Sequence, residues 1–414
     1  MPRRRGRSPA SIGYLVLAGA LAIGASLALW QWLSGGFEGQ VVVLSPSPGA
    51  PQASAVPSKT ASPLPSSPSP LLTPSPQASP TPAPGPKLIY REFGQDVDSL
   101  FLADTRLGEV RPVASLGHAP GYGVQASLSP DGREAAYTAL AAEALDRTRQ
   151  AELWLLALGD SGPRKLAGGF DLQIPLWSPR GEALALRRYG SQGVPELVLV
   201  SRDGAVTSLV PGAGALDLFP AAFSPDGRFI YYVKLTAQGS ELGRAPVGGG
   251  NVTTIMGSLG KGLSRDWRLS PDGRSLAYLA PVEYEGRIRL RIHVASVGSD
   301  GRPVTVQGPL GLDHFAPLWH PKGQEIALGS TPAGGQAEGV FLVEESGSAR
   351  PFGSPPARGC DVPVAWSPDG SILAVRSFAV CSIQEPGPSR YVLVFADGAR
   401  REMKTDAEFI GWVP

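Results

Sequence analysis

The stretch "VAWSPDGSILAVRS", Val364 to Ser377, decides the fold. Trp366 precedes Ser-Pro-Asp-Gly, and a short apolar run with strand character follows. Proline presets φ for the first corner of a type I turn, aspartate tolerates the second, and glycine takes the positive φ that comes next. That geometry reverses the chain between two antiparallel strands, so the motif predicts a hairpin. The aspartate is read as a turn residue, not a catalytic one.

The same order of events recurs along the chain. Anchor prolines stand at Pro130, Pro179, Pro225, Pro271, Pro321, Pro368 and Pro414, spaced roughly 46–50 residues apart, a period typical of propeller blades. The turn reads SPDG at Ser129, Ser224, Ser270 and Ser367, SPRG at Ser178 and HPKG at His320. Each of the first six turns leads into an apolar strand, a variable loop and a second strand. Most units then show a second glycine turn, as at Gly204, Gly301 and Gly398, and a weaker fourth strand. Four strands per unit, repeated about seven times, describe an all-β, seven-bladed β-propeller. The bulky residue before each turn (Leu128, Trp177, Phe223, Leu269, Trp319, Trp366) is expected to pack between neighbouring blades.

The last residues, "EFIGWVP" from Glu408 to Pro414, supply an innermost strand without its continuation. The continuation is found at the other end of the repeats. "KLIYREF" (Lys87 to Phe93) reads as the strand after such a turn, and "SLFLADTRLGEVRPV" (Ser99 to Val113) as two outer strands. The C-terminal strand is expected to pair with the N-terminal three, because an open seam would expose two sheet edges and invite aggregation.

These repeats resemble the TolB-like (WD-repeat-like) β-propeller repeats of bacterial envelope proteins, over Lys87 to Pro414. The resemblance implies a propeller that works in the envelope. It departs from TolB in the absence of an extra N-terminal α/β domain and in blade number, TolB having six, which leaves a TolB–Pal type role without support.

Ahead of the repeats, Ile12 to Leu33 is apolar and uncharged. About 22 residues at about 1.5 Å each span about 33 Å, enough to cross a bilayer. Arg3, Arg4, Arg5 and Arg7 precede it, so the tail 1–11 is expected to stay in the cytoplasm and the rest of the chain outside it. The run extends past the small-residue stretch Ala18–Ala20, which favours a retained signal anchor over a cleaved signal peptide. Residues 34–86 form a linker rich in Pro, Ser, Ala and Thr that cannot bury a core; fully extended, its proline-rich part reaches up to about 130 Å. Formal net charge is +1, and no basic cluster follows the N-terminal arginines, which argues against nucleic acid as a partner.

Motifs of catalysis are sparse. No Gly-x-Ser-x-Gly elbow, Walker loop or dinucleotide fingerprint is present, and no cofactor is expected. "GDSGP" (Gly159 to Pro163) lies between two blade strands and reads as a turn. The four histidines, His118, His293, His314 and His320, form no metal-binding motif, and no metal is expected. Cys360 and Cys381 flank one hairpin at nearly mirrored distances and are a disulfide candidate in an oxidising compartment, the other reading being two free thiols.

One positional pattern rises above turn chemistry. Asp171, Asp217, Asp313 and Asp406 stand eight residues before an anchor proline, with Asp361 one residue off. The chain enters the innermost strand there, at one mouth of the central channel. Such a ring would focus negative potential and attract a cation or a basic peptide, or each carboxylate would accept hydrogen bonds from its own loop. The expected function is a membrane-anchored, extracytoplasmic scaffold, single-pass in the cell membrane, that binds a protein or peptide at this mouth without catalysis. The alternative is a lyase or glycan hydrolase with channel-mouth carboxylates.

Overall fold

The computed structural model describes residues 85–413 except 142–149, 160–161, 191–192, 261, 299–303, 307–311, 332–335, 345 and 382–386. The expected basic tail, the span Ile12–Leu33 and the linker up to residue 84 lie outside the described residues. Among the described residues, no helix is long and apolar enough to cross a membrane.

The turn chemistry builds the hairpins. Ser129 Oγ donates to Asp131 Oδ1 at 2.6 Å, and the Arg133 N–H donates to the same oxygen at 3.1 Å. The Gly132 N–H closes the turn on the Ser129 carbonyl at 2.8 Å, with φ +66°. Ser224–Asp226 and Ser270–Asp272 repeat the hydroxyl–carboxylate bond at 2.6 Å. The donated protons hold these aspartates below the usual carboxylate range, Asp226 at about 2, with the Ser224 hydroxyl the largest cause. The turns also stack from blade to blade: a Cβ on Gly273 would lie 2.5 Å from Pro225 Cδ of the preceding turn. Glycine there serves both the left-handed φ and the close approach.

Seven four-stranded antiparallel sheets result. The closing blade combines β1 (Lys87–Glu92), β2 (Val97–Asp104) and β3 (Val110–Gly117) with the last strand, β28 (Ala407–Val413). Blade 1 holds β4 (Gln125–Leu128), β5 (Glu134–Leu140), β6 (Ala151–Ala157) and β7 (Arg164–Phe170). Blade 2 holds β8 (Leu176–Trp177), β9 (Ala183–Tyr189), β10 (Pro195–Ser201) and β11 (Val206–Pro211). Blade 3 holds β12 (Asp217–Phe223), β13 (Phe229–Thr236), β14 (Gly239–Pro246) and β15 (Thr253–Met256). Blade 4 holds β16 (Arg265–Leu269), β17 (Ser275–Tyr284), β18 (Arg287–Ser296) and β19 (Val304–Thr305). Blade 5 holds β20 (His314–Trp319), β21 (Ile326–Ser330), β22 (Val340–Val343) and β23 (Ala349–Phe352). Blade 6 holds β24 (Cys360–Trp366), β25 (Ile372–Phe378), β26 (Ser389–Phe395) and β27 (Arg400–Glu402).

The expected closure is present. β28 pairs antiparallel with β1, Leu88 opposite Trp412 and Tyr90 opposite Phe409. The closing blade is packed on both faces. Trp412, Leu88 and Tyr90 join Ile372, Ala374 and Leu393 of blade 6, while Ile89, Leu100 and Leu116 join Ala135, Tyr137 and Leu156 of blade 1. Other interfaces follow the same plan: Trp177 of blade 2 packs with Leu153 and Leu155 of blade 1. The indole N–H then reaches the innermost strand of the preceding blade, Trp177 to Ser127 O at 3.3 Å, Trp319 to Arg268 O at 3.0 Å and Trp412 to Ala365 O at 3.3 Å. A buried indole usually finds such an acceptor; Trp366 differs, its buried Nε1 having none.

Replacing Trp412 by Ala is expected to lower the unfolding free energy in urea by about 3–5 kcal/mol, the usual cost of a large core truncation. Deleting β28 is expected to give an aggregating, protease-sensitive chain; a monodisperse product with the parent Tm would refute the closure.

His293 on β18 offers a second test. It is buried, stacks on Tyr278 at 5.4 Å between ring centres, and its Nε2 has no partner. Burial, assisted by Arg291, pushes the imidazole down to about 4 from an ordinary 6.5. The unfolded chain therefore binds a proton that the folded ring refuses, so this contribution is fully present above pH 6.5 and is lost as pH falls towards 4. Tm measured across that window is expected to fall less steeply for His293→Phe than for the parent; parallel curves would sink the assignment.

Candidate functional site

In an antiparallel meander, the turns after the first and third strands lie at one end of the ring. The loops after the second strand, and the connections into the next blade, lie at the other. Asp171 follows β7, Asp217 opens β12, Asp313 precedes β20, Asp361 is the second residue of β24 and Asp406 precedes β28. All five occupy connections into an innermost strand.

Four of the five carry an arginine. Arg187, near the end of β9, donates from Nε to Asp171 Oδ2 at 2.6 Å and from Nη1 to Asp217 Oδ2 at 2.7 Å. One guanidinium of blade 2 thus clasps both the connection entering its blade and the one leaving it. Burial opposes the Arg187 charge, but Asp217 and Asp171 outweigh it and raise its pKa. Arg289 donates to Asp313 Oδ2 at 2.9 Å, and the Leu290 N–H to Asp313 Oδ1 at 2.8 Å. Asp361 is fully buried and receives both Nη atoms of Arg400 at 2.7 and 3.0 Å. Because Arg400 belongs to β27, the outermost strand, this carboxylate turns into the blade and away from the channel. Asp406 is exposed, and its carbonyl accepts the Phe93 N–H at 3.4 Å. One Asp also bonds its own loop, Leu218 N–H to Asp217 Oδ1 at 2.8 Å.

A second buried network joins the closing blade to blade 1. Asp98 is wholly buried and accepts from Arg91, from His118 Nε2 at 3.1 Å, from the Gly94 N–H at 3.1 Å and from the Val124 N–H at 2.9 Å. Arg91 Nε reaches on to Glu408 of β28 at 2.8 Å. A Cβ on Gly123 would stand 2.4 Å from Arg91 Nη1, so this glycine makes room for the latch. The sequence does hold a signal for it. Leu88 faces Trp412 as Leu184 faces Trp177, and Arg91 and Arg187 each lie three residues further on.

Around Arg187 the mouth turns apolar. Its guanidinium carbon lies 4.7 Å from the Phe219 ring centre and 5.5 Å from that of Tyr189, and Phe219 meets Trp267 at 5.7 Å. Tyr189 OH donates to Asp217 Oδ1 at 3.3 Å; its pKa is pushed up to about 12, chiefly by burial, so it stays a neutral donor. Exposed large apolar side chains surround the group: Ile174 (59%), Leu216 (66%), Val194 (42%) and Tyr189 itself (39%). They adjoin the group along the chain: Ile174 follows Gln173, whose Nε2 donates to Arg187 O at 2.6 Å, Leu216 precedes Asp217, and Val194 precedes Pro195, which pairs with Tyr189. Phe93, Val97, Ile288 and Val380 are exposed at the same end, and only Val110, Val206 and Val252 at the other, among the described residues.

The remaining sequence candidates separate. Cys360, paired across from Phe378, is bonded to Cys381, with 5.5 Å between Cα atoms. The bond ties the start of β24 to the segment after β25. His314 and His320 stand at opposite ends of β20: His314 Nδ1 accepts the Ile292 N–H at 3.3 Å, whereas His320 lies edge-on to Trp366. Among the described residues, no group of three or more His, Cys, Asp or Glu is arranged to hold a metal ion. Gly159–Pro163 joins β6 to β7, with residues 160–161 outside the described set.

No protein-family profile and no curated protein matches the chain. Among solved structures it is similar to a prolyl endopeptidase from a structural and mechanistic analysis of two such enzymes (TM-score 0.55, 12% identity, 80% of this chain and 49% of that one). It is also similar to a puromycin-hydrolysing peptidase of Mycobacterium tuberculosis (0.52, 16%, 78% and 53%). TolB from Acinetobacter baumannii gives 0.46 at 18% identity over 66% of this chain and 64% of that chain. The chain spans about half the length of the two peptidases and less than two thirds of that TolB. At these identities the likeness shows the propeller fold alone.

Replacing Arg187 by Met leaves Asp171 and Asp217 facing each other, and is expected to destabilise the protein by about 2 kcal/mol, as for loss of charge-assisted hydrogen bonds. Adding Asp171→Asn and Asp217→Asn should recover part of that loss in urea titrations; strictly additive costs would show that the three residues do not act together.

Proposed function

We propose that this chain is a membrane-anchored, extracytoplasmic propeller whose loop-bearing mouth binds a protein or peptide, with no catalysis of its own. The observation that carries the reading is the apolar patch Ile174, Tyr189, Val194 and Leu216 beside the Arg187–Phe219–Trp267 group. Exposed apolar side chains gathered on the loops of one mouth beside paired charges have the composition of a docking face. Aromatic and arginine side chains at its centre supply anchors. The mouth aspartates serve this surface as holders of arginine, since four of them pair with three guanidinium groups on the spot, Arg187 being shared by two. Catalysis by a carboxylate pair needs two acids free to exchange protons with a substrate, and clasped carboxylates do not favour it.

The anchor rests on the sequence: the apolar run 12–33, the arginines before it, and the stiff linker 34–86 that would hold the propeller (87–414) clear of the bilayer of a bacterial envelope.

In crosslinking and affinity capture from the native envelope, the tagged full chain is expected to retain a partner. Ile174→Glu with Leu216→Glu should reduce capture at least tenfold, about 1.4 kcal/mol of binding. Val206→Glu, at the far end, should leave it unchanged. Equal capture by all three proteins would overturn the docking face.

A further inference from the structure

Arg268, on an innermost strand, differs from most arginines near the channel, although Arg376 at the register of Arg187 likewise meets a hydroxyl and no carboxylate. Arg91, Arg187, Arg289 and Arg400 all meet carboxylates. Arg268 donates one hydrogen bond, from Nη1 to the Trp267 carbonyl at 2.9 Å, and has no ion pair among the described residues. A guanidinium carries five N–H donors, so most of its donors have no protein partner. The nearest acid in sequence, Asp266, is engaged by Arg265 at 3.1 Å; its charge favours the Arg268 cation without a direct ion pair.

Its location follows from the repeat. Arg268 lies three residues before Pro271 on β16; the same position holds Ser127, Leu176, Ala222, Leu318, Ala365 and Gly411 in the other blades. All six are partly accessible although the residue after each is mostly buried, which marks this position as the channel wall. None is charged. Arg268 is solvent-exposed, yet desolvation pulls its pKa below the ordinary value. Exposed on the innermost strand of its blade, the Arg268 side chain borders the channel. The register of β16 with β17 shifts between Arg265 and Arg268 with Asp266 at φ +55°, as that of β20 with β21 shifts between Phe315 and Leu318 with Ala316 at φ +43°, so this irregularity belongs to the repeat.

We propose that the central channel binds a carboxylate on Arg268, with the apolar body of the ligand against the uncharged ring that includes Leu318 and Ala222. A cation lacking a partner in a walled, weakly screened space attracts an anion more strongly than a surface arginine does, and the planar fork of arginine suits the two oxygens of a carboxylate. The carboxylate is either the C-terminus of a peptide or a small free organic acid. The site rests on the channel alone and does not require the docking face.

The test uses the full chain purified in detergent, titrated calorimetrically with phenylacetate and with acetyl-Ala-Ala-Phe as the free acid and as the amide. Binding of the free-acid peptide with at least tenfold weaker binding of the amide supports a peptide source; binding of phenylacetate without the peptide supports a small acid. In either case Arg268→Gln should weaken binding at least tenfold, and Arg268→Lys by less. The Tm of Arg268→Gln without probe should equal or exceed the parent value, because an uncompensated charge is removed. Ile174→Glu with Leu216→Glu should bind these probes normally, which separates this site from the docking face. Absence of binding by every acid, or equal binding by parent and Arg268→Gln, would overturn the proposal.

Discussion

The pairing of β28 with β1 is the interaction on which the rest of the molecule depends. Each blade buries its apolar faces against two neighbours, so a blade without a neighbour would leave one face in water. Fully burying a large apolar side chain contributes about 1.5–3 kcal/mol, and the closing blade brings Leu88, Tyr90 and Trp412 to one face and Ile89, Leu100 and Leu116 to the other. The register with a bulge at Ile89 and Tyr90 sets which residues meet which face. The Arg91–Asp98–His118 network fixes the same junction by polar contacts. It is satisfied by four donors to one carboxylate, which is the condition under which a buried charge is tolerated.

A closed ring also explains the division of labour between its two ends. One end consists of short turns locked by serine–aspartate bonds and by glycine against proline; it is regular and chemically repetitive. The other end carries the variable loops, and there the arginines differ from blade to blade. Arg187 holds two connections together, Arg289 holds one, and Arg400 draws Asp361 out of the channel. Position in the repeat is shared, whereas partner and direction are not.

That difference sets what was legible in the sequence. The hairpins, the blade period and the composite blade were readable because turn chemistry is local: Pro, Asp and Gly dictate φ within four residues. The aspartate register was readable for the same reason. Its meaning was not, because the partners are remote, Asp361 and Arg400 being 39 residues apart and Arg91 and Glu408 being 317 apart. Asp361 and Asp171 look alike as letters, yet one is sealed inside a blade and the other lies at the mouth. Arg268 gave no signal at all, since an arginine before an SPDG turn reads as ordinary surface charge until the channel around it is known. The register shift that recurs in β12, β16, β20 and β24 is likewise invisible to a pattern with period two.

The separation of 317 residues between Arg91 and Glu408 has a consequence for how the protein is made. The strands β1 to β3 leave the ribosome before the other blades and their mate β28 after them, so six blades must be synthesised while the edge of β1 waits uncovered. Loop closure over such a length is slow, and exposed edges are where chains associate wrongly. Biogenesis is therefore the dangerous period for this fold.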